Sequence, residues 1–307
     1  MTHLPEEIPL LIHQHRADTI WRQSAKDQPK LKCGRSDLGI WDTALDHRVL
    51  RCLLRAEFYG VYRIGPIRLD HHLVTTLVER WRIETRTFHF PIGEPTVTLQ
   101  DVAILFGLPV DGDAVTGKDP RNKLDDLIAL CVELLGVAPT QQDSIGSSLK
   151  LKWISKHFRH LPHDAPDETV YHYARAYIMW LIGGVLVPDK SQNIVKMMFL
   201  PLLRDFDHIQ ECSWGGATLA CLYRMLCRAT KADTKEMARP LVLLQVWEWE
   251  RLSRIAPSRK SHIAAGERAI GEGDQLLPPG LRACRWRVPF SNEVISTNVK
   301  CHLPGPI

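Results

Sequence analysis

Several features are missing from this sequence of 307 residues, and each absence excludes a class of protein. Its eight cysteines are scattered without a Cys-x-x-Cys pair, which indicates reduced thiols instead of a disulfide framework. The longest apolar stretch, Ala176 to Pro188, is shorter than the roughly 18 residues that a membrane-spanning helix needs. The N-terminus lacks the basic start and apolar run of a secretory signal. We therefore expect a soluble chain of the cytosol or nucleus, without a membrane partner.

Recognisable catalytic motifs are missing as well. There is no Gly-x-x-x-x-Gly-Lys-Ser/Thr phosphate loop and no Gly-x-Ser-x-Gly nucleophile elbow. His157, His160 and His163 are spaced by three, but Leu161-Pro162 interrupts a common helix, so surface histidines are the preferred interpretation. We predict no enzymatic activity and no cofactor. A cryptic metal-dependent nuclease stays open as an alternative, because two-metal sites need several carboxylates and many aspartates are available: Asp101, Asp111, Asp113, Asp125, Asp126, Asp205 and Asp207.

Positive charge is concentrated near the C-terminus. The net charge is +4, but residues 251–300 contain nine Lys/Arg and four Asp/Glu residues, a net of +5. The preceding 250 residues are therefore near −1. A basic tail after a nearly neutral body is either a phosphate contact or an ordinary solvated end. Arg282, Arg285 and Arg287 are the candidate contacts in this tail.

Helical periodicity dominates the middle of the chain. Residues 1–40 are predicted to form an N-terminal arm, and residues 41–256 a single helical body. Residues 257–307 form a basic, loop-rich segment, for which a truncated end of the domain is one interpretation. Asp70 is the predicted cap of one helix, and residues 173–187 are expected to be the central buried helix. Further predicted helices span residues 123–135, 148–158, 167–182, 192–203, 214–228 and 234–255, with Pro240 as a kink or the true start of the last.

One short segment has a β pattern. Thr87-Phe-His-Phe90 alternates, Gly93-Glu94 is a turn signal, and Thr96-Val-Thr98 is the expected returning strand. The predicted fold is therefore all-α, a mainly helical single domain, with one short β-hairpin at this position.

The segment Thr96–Val110 resembles the first helix and turn of a helix-turn-helix DNA reader. Thr98 and Asp101 have the spacing of a capping box, and Gly107 is a helix stop. A second, groove-reading helix is not supported, because the residues that follow are poor helix formers or acidic: Pro109, Asp111, Gly112, Asp113 and Gly117. A capped helix followed by a structured loop is the preferred interpretation.

Three arginines surround a tryptophan just before the predicted hairpin. Trp81 would stack on a nucleic-acid base while arginines hold phosphates, or it would be buried while its charged neighbours form ion pairs. The buried alternative is preferred. Arg80, Trp81, Arg82 and Arg86 are nevertheless retained as candidate partner or nucleic-acid contacts, together with the three C-terminal arginines.

An ordered series of sequence blocks resembles a known family. The first block runs from Leu77 to Gly117 and includes Trp81 and the capped helix. Four further blocks follow in order: Ala174-Arg-Ala-Tyr-Ile178, Leu200-Pro-Leu-Leu-Arg-Asp205, Ser213-Trp-Gly-Gly-Ala-Thr-Leu-Ala220 and Leu243-Leu-Gln-Val-Trp-Glu-Trp-Glu-Arg251. Over about residues 41–256 these blocks are similar to the plant mobile domain, which is also catalogued as aminotransferase-like.

The resemblance implies a non-enzymatic nuclear interaction module of transposon-derived type. Family members are linked to transposon silencing, gene expression and meristem maintenance, and no catalytic residue is established for the domain. The implied partners are nuclear proteins, including phosphatase-like or related plant mobile domain proteins. A DNA-binding remnant of a transposon-encoded protein is the alternative.

Features of the sequence limit what the resemblance implies. Arg86 stands where the family pattern has a histidine, which weakens any metal or catalytic role there. Metallophosphatase motifs are absent. Lys190 and Lys196 have no recognisable phosphate cup or pyridinium partner beside them, so an aminotransferase is not indicated either.

Overall fold

The fold of the computed structural model is mainly helical, as predicted. The structure describes residues 15–17, 31–33, 39, 44–65, 67, 69–91, 93–117, 124–189, 191, 193–237, 240–252 and 256. Arg282, Arg285, Arg287 and Lys190 lie outside the described residues, as do most of the predicted arm and all of segment 257–307. The α-helices are α1 (His47–Arg55), α2 (Tyr59–Ile64), α3 (His71–Arg80), α4 (Leu99–Phe106), α5 (Leu124–Leu135), α6 (Leu151–His157), α7 (Asp167–Leu181), α8 (Trp214–Ala229) and α9 (Leu241–Arg251).

Between the helices, the described residues form short strands in three small sheets. A parallel pair joins β1 (Lys32–Cys33) to the late strand β7 (Glu236–Met237), and an antiparallel pair joins β2 (Trp81–Arg82) to β3 (Thr87–Phe88). The third sheet has the order β4 (Ser144–Ile145), β5 (Ser148–Lys150), β6 (Ile194–Lys196), and both of its pairs are antiparallel. None of the described helices is long and apolar enough to cross a bilayer.

Helix α7 forms the centre of the core, which confirms the prediction from its apolar run. Every residue from Ala174 to Leu186 is buried, because the helix is apolar nearly all round and α1, α5 and α6 contact it. Its continuation, Ile182–Leu186, is π-helical. A Cβ atom on Gly183 would overlap Val195 of β6, so only glycine lets the helix end approach the sheet this closely.

The predicted helix starts are confirmed where a side chain caps them. Asp70 Oδ1 accepts hydrogen bonds from the backbone N–H groups of His72 and Leu73 at 2.9 and 3.2 Å, which begins α3. Pro240 directly precedes α9 and marks its true start. A proline is tolerated there because the first N–H groups of a helix have no intrahelical partner.

Three predicted helices were wrong at their N-terminal ends, the span 234–255 among them, because Glu236–Met237 is the strand β7. Within the predicted span 192–203, Ile194–Lys196 is the strand β6, and Met197–Leu203 is a 3₁₀ helix around Pro201. Ser148–Lys150 is a strand as well, and it pairs with β6. Backbone pairing between segments more than forty residues apart overrides the local helical pattern here.

The predicted hairpin was also wrong in its partner strand. Thr87–Phe88 does form a strand, but it pairs with Trp81–Arg82 before it and not with Thr96–Thr98 after it. The Gly93 turn forms only an isolated bridge to Phe90. Thr96 instead donates its side-chain hydroxyl to the carbonyl of Arg86 at 2.8 Å.

A buried arginine joins three segments of the body. Arg175 Nε and Nη2 donate to the carbonyl oxygens of Leu203 and Arg204, each at 3.0 Å, and Nη1 donates to that of Leu134 at 3.3 Å. Its guanidinium carbon lies 5.5 Å from the ring centroid of Phe206. Since each carbonyl stands near the C-terminal end of a helical segment, the cation also faces the negative ends of their dipoles.

We expect Arg175→Met to lower the free energy of unfolding by about 3–5 kcal/mol, because it leaves buried carbonyls without a donor. Urea unfolding followed by circular dichroism measures the change. Arg204→Met is the matched control, since it removes only the exposed ion pair with Glu133 and should cost about 1 kcal/mol or less. Equal losses in the two variants would contradict the role of Arg175.

Candidate functional site

Trp81, the aromatic member of the predicted contact cluster, is fully buried at 0% exposure. Its indole Nε1 donates to Cys227 Sγ at 3.4 Å, and its ring lies 4.8 Å from Phe88 and 5.2 Å from Tyr223. His15 donates to its carbonyl at 3.0 Å. No ring face is left for a nucleic-acid base, so the structure corrects the inclusion of Trp81 among the contacts and agrees with its preferred buried interpretation.

The three arginines near Trp81 have different environments. The Arg80 guanidinium lies 5.9 Å from the Phe90 ring centroid, and burial lowers its pKa. Arg82 is half-buried, its Nη1 has no hydrogen-bond partner, and burial lowers its pKa against the opposing charge of Glu84. Arg86 alone of the three is exposed, at a turn residue with a φ of 56°. The body therefore does not present these three guanidinium groups as one exposed patch.

Helix α4 begins with the capping box that its sequence predicts. Thr98 Oγ1 accepts from Asp101 N at 3.2 Å, and Asp101 Oδ2 accepts from Thr98 N at 2.9 Å. Arg251, the last residue of α9, donates to Asp101 Oδ1 at 2.6 Å. Burial would raise the pKa of Asp101, but the hydrogen bonds from Thr98 and Arg251 outweigh it and lower this pKa. The carboxylate thus ties the start of α4 to the end of α9.

The loop after α4 is an ordered structural element, as the preferred interpretation predicts. Gly107 ends the helix in the left-handed region, with a φ of 64°. Asp113 N then donates to the carbonyl of Glu211 at 2.7 Å, and the carbonyl of Asp113 accepts from Ser213 N at 2.8 Å. Gly215 N donates to the carbonyl of Pro109, also at 2.8 Å. These bonds occupy the place where a groove-reading helix would have to begin, so the helix-turn-helix hypothesis fails.

We expect Gly112→Ala to destabilise the domain more than Gly93→Ala. Both glycines have positive φ values, 93° and 136°, so alanine strains the backbone at each by about 1–3 kcal/mol. Only at Gly112 would the new Cβ also overlap the carbonyl of Glu211, whereas the space beside Gly93 is open. Thermal unfolding of the two variants tests this, and equal shifts in Tm would mean that the loop contact is dispensable.

The residues considered for metal binding are dispersed. Asp207 pairs with Arg55, Asp205 accepts from His208 at 2.8 Å, and His163 lies beside Asp164 at the surface. Within the described ranges, no three His, Cys, Asp or Glu side chains are grouped so that they could hold a metal ion. The arrangement therefore gives the nuclease alternative no support among these residues.

A cleft of about 250 Å³ opens between the start of α1 and α7. Its floor is aromatic, formed by Phe158, Tyr173 and Tyr177, and the Phe158 and Tyr173 rings meet edge-on at 5.3 Å. Asp46 stands at its edge with both carboxylate oxygens bonded to Arg48 at 3.1 Å. The volume is below the roughly 300–1,000 Å³ of typical ligand pockets. The cleft has room for about one bulky side chain.

Sequence reasoning missed one unusual buried group, Glu248 in α9. Its side chain is 0% exposed, and neither carboxylate oxygen has a hydrogen-bond partner. Burial, together with the nearby charge of Asp70, raises the pKa of Glu248 to about 8. The sequence signal was present, because Gln245 and Glu248 are the polar residues of the otherwise apolar stretch Leu241–Trp249, on a helix whose residues are buried up to Trp249.

The raised pKa of Glu248 makes the stability of the domain pH-dependent. The unfolded chain loses this proton near its ordinary pKa of 4.5, whereas the folded chain keeps it up to about pH 8. Between these values the unfolded state binds fewer protons, so stability falls as pH rises, by at most roughly 1.4 kcal/mol per pH unit. We expect Glu248→Gln to reduce this slope.

Urea unfolding at intervals from pH 5 to pH 8 measures the slope for the wild-type chain and for Glu248→Gln. Glu236→Gln is the control, because Glu236 is an exposed glutamate of β7. Parallel pH dependence in the wild-type and Glu248→Gln chains would show that Glu248 does not retain its proton in the folded state.

Comparison with known proteins places this sequence in a family. The plant mobile domain matches residues 57–303. The chain is 46% identical over 281 residues to the serine/threonine-protein phosphatase 7 long form homolog of Arabidopsis thaliana, covering 92% of this chain and 20% of that protein. It is 37% identical over 242 residues to Protein MAIN-LIKE 2 and 31% identical over 252 residues to Protein MAINTENANCE OF MERISTEMS, both from the same plant.

The chain covers only part of each relative. The alignments span 78% and 82% of this chain for the last two proteins, but only 35% and 52% of those proteins themselves. No solved structure matches the chain. The match to the family covers most of the sequence and includes α4, its loop, Arg175 and Glu248, and the chain therefore belongs to the plant mobile domain family.

Proposed function

We propose that this domain is a non-enzymatic interaction module that acts in the nucleus through protein partners. Its biological role is in transposon silencing and gene expression, and the name of one relative, MAINTENANCE OF MERISTEMS, extends the proposal to meristem maintenance. The partners proposed are nuclear proteins, among them phosphatase-like proteins and other plant mobile domain proteins.

The recurrence of the domain in relatives that differ in name, and of which it makes up different shares, carries this proposal. The matched region is 20% of a protein named as a phosphatase homolog, and 52% of one named for meristem maintenance. A domain that accompanies different remaining sequence in different proteins behaves as a portable module. Such a module can recognise a partner without taking part in the reaction that the rest of the protein catalyses.

The geometry supports binding more than chemistry. The aromatic cleft beside Tyr173 holds about one side chain, and the rest of the described core is filled by packed apolar side chains. Large apolar side chains are nevertheless exposed at the surface, which is where a module meets its partners: Leu99, Ile104, Val132 and Ile145.

Direct DNA binding is the less supported alternative. Phosphate contacts need exposed cations, and of Arg80, Arg82 and Arg86 only the last is exposed. The Arg80 guanidinium is already placed over an aromatic ring. Among the predicted contact residues, the alternative then rests on the C-terminal arginines, which lie outside the described residues.

We expect crosslinking in intact plant nuclei to recover chromatin-associated, phosphatase-like or plant mobile domain proteins with the tagged full chain. Mass spectrometry of the crosslinked products, with and without prior nuclease digestion, separates protein contacts from contacts that DNA bridges. A fluorescent fusion of the same chain should accumulate in the nucleus.

The destabilised variant Arg175→Met serves as the control, because partners of the folded module should be lost with it while partners of unfolded chains should not. Exclusion of the fusion from the nucleus would refute the proposal. So would the recovery of partners that all disappear after nuclease digestion.

A further inference from the structure

The outward face of α4 carries no charged side chain. Leu99 and Ile104 are 42% and 41% exposed, Gln100 is exposed, and Ala103 and Gly107 are partly exposed between them. Exposed helix faces normally carry charged or polar residues, whereas this face offers one amide among apolar groups. The only acidic residue of α4, Asp101, is on the buried side and pairs with Arg251.

The neighbouring helix α8 extends this face with small residues and then with cations. Gly216 lies beside Leu99, because a Cβ on this glycine would reach Leu99 Cδ2 at 4.0 Å. Further along α8, the Tyr223 hydroxyl donates to the carbonyl of Val97 at 2.7 Å, just before α4 begins. Ala220 is therefore exposed between these two contacts, next to the start of α4.

Arg224 and Arg228 follow Ala220 on the same stripe of α8. Residues four apart share one helix face, and both arginines are exposed. Within the described part of the chain, neither guanidinium forms an ion pair, and the side-chain contact of Arg224 is with Cys221 Sγ at 3.9 Å. An uncharged apolar area thus borders two cations spaced about 6 Å apart along the helix axis.

We propose that this α4–α8 surface, formed by Leu99, Ala103, Ile104, Ala220, Arg224 and Arg228, binds an acidic amphipathic helix of a protein partner. The inference rests on the proposed function and specifies the chemistry of the partner. Apolar residues at i and i+4 of the partner helix lie over Ala103, between Leu99 and Ile104, which stand about 140° apart around α4 at the two edges of this face. Small residues of α8 allow close approach, and carboxylates one turn apart on the partner pair with the two arginines.

Charge excludes two other occupants of this surface. Nucleic acid would place phosphates against the outward face of α4, which carries no charged side chain, and the nearby guanidinium of Arg251 is already paired with Asp101. The basic segment 257–307 of the chain itself would bring like charge to Arg224 and Arg228. An acidic amphipathic helix matches both the apolar part of the surface on α4 and the two arginines on α8.

Site-specific photocrosslinking tests the location and the chemistry together. The full chain carries p-benzoylphenylalanine in place of Gln100 on the surface or, as control, in place of Val132 on α5, which is 49% exposed. After irradiation in plant nuclei, the crosslinked peptides are sequenced. We expect the Gln100 position, and not the Val132 position, to capture a segment with apolar residues at i and i+4 and a net negative charge.

The captured segment is then synthesised as a peptide, and its affinity for the purified full chain is measured. The double variant Arg224→Glu/Arg228→Glu should bind it at least about tenfold more weakly. Lys152→Glu/Lys156→Glu on α6 is the matched control, because these exposed lysines are also four residues apart, and it should leave the affinity unchanged. A peptide with its two pairing acids changed to lysine should recover binding to the reversed variant.

The outcomes separate this inference from the proposed function. If the wild-type chain has nuclear protein partners but Gln100 captures none of them, the surface is wrong and the proposed function stands. Capture of DNA, of the chain's own basic segment or of a segment without acidic residues also overturns the inference. Absence of any protein partner overturns both.

Discussion

The body of this domain depends on a cation that is enclosed in its interior. Burying a guanidinium costs several kcal/mol unless its charge and donors are matched, and Arg175 is matched by carbonyl oxygens of Leu134, Leu203 and Arg204 and by the carboxylate of Glu168 at 3.7 Å. These carbonyls lie on two segments that have no direct covalent connection to α7. Their positions are therefore fixed relative to α7 by the directions of the N–H bonds, in addition to the apolar packing, which has no direction of its own.

Most of the family-like sequence likewise stabilises the fold. The loop from Gly107 to Gly117 is held by backbone hydrogen bonds to residues 211–215, and Gly112 and Gly117 allow carbonyl oxygens to approach that a side chain would displace. Trp81 is enclosed by rings from β3 and α8. The residues that make the sequence recognisable are thus largely used in folding, and a binding role falls to residues that the core leaves outside.

Structural features that depend on local interactions could be predicted from the sequence, whereas those that depend on non-local interactions could not. The caps Asp70 and Thr98 and the stop at Gly107 act within a few residues and were predicted, and the start after Pro240 was one of two interpretations of that proline. Strand β6 was predicted as a helix, because its partner β5 lies more than forty residues away and no local signal reports the pairing. The lack of a hydrogen-bond partner for Glu248 was not predicted for a related reason, since it depends on every element that surrounds this side chain.

The way in which α4 is held favours it as the site of the proposed docking surface. This helix is fixed at its start by the capping box and the Arg251–Asp101 pair, and at its end by Gly107 and the bonded loop that follows. A helix held at both ends loses little conformational freedom when a partner covers it, so more of the contact energy is available as affinity. Exposed apolar side chains on a mobile segment would lack this advantage. Leu99 and Ile104 have it because the polar contacts that hold α4 all lie on its inner side and at its ends, which leaves its outer face free of competing charge.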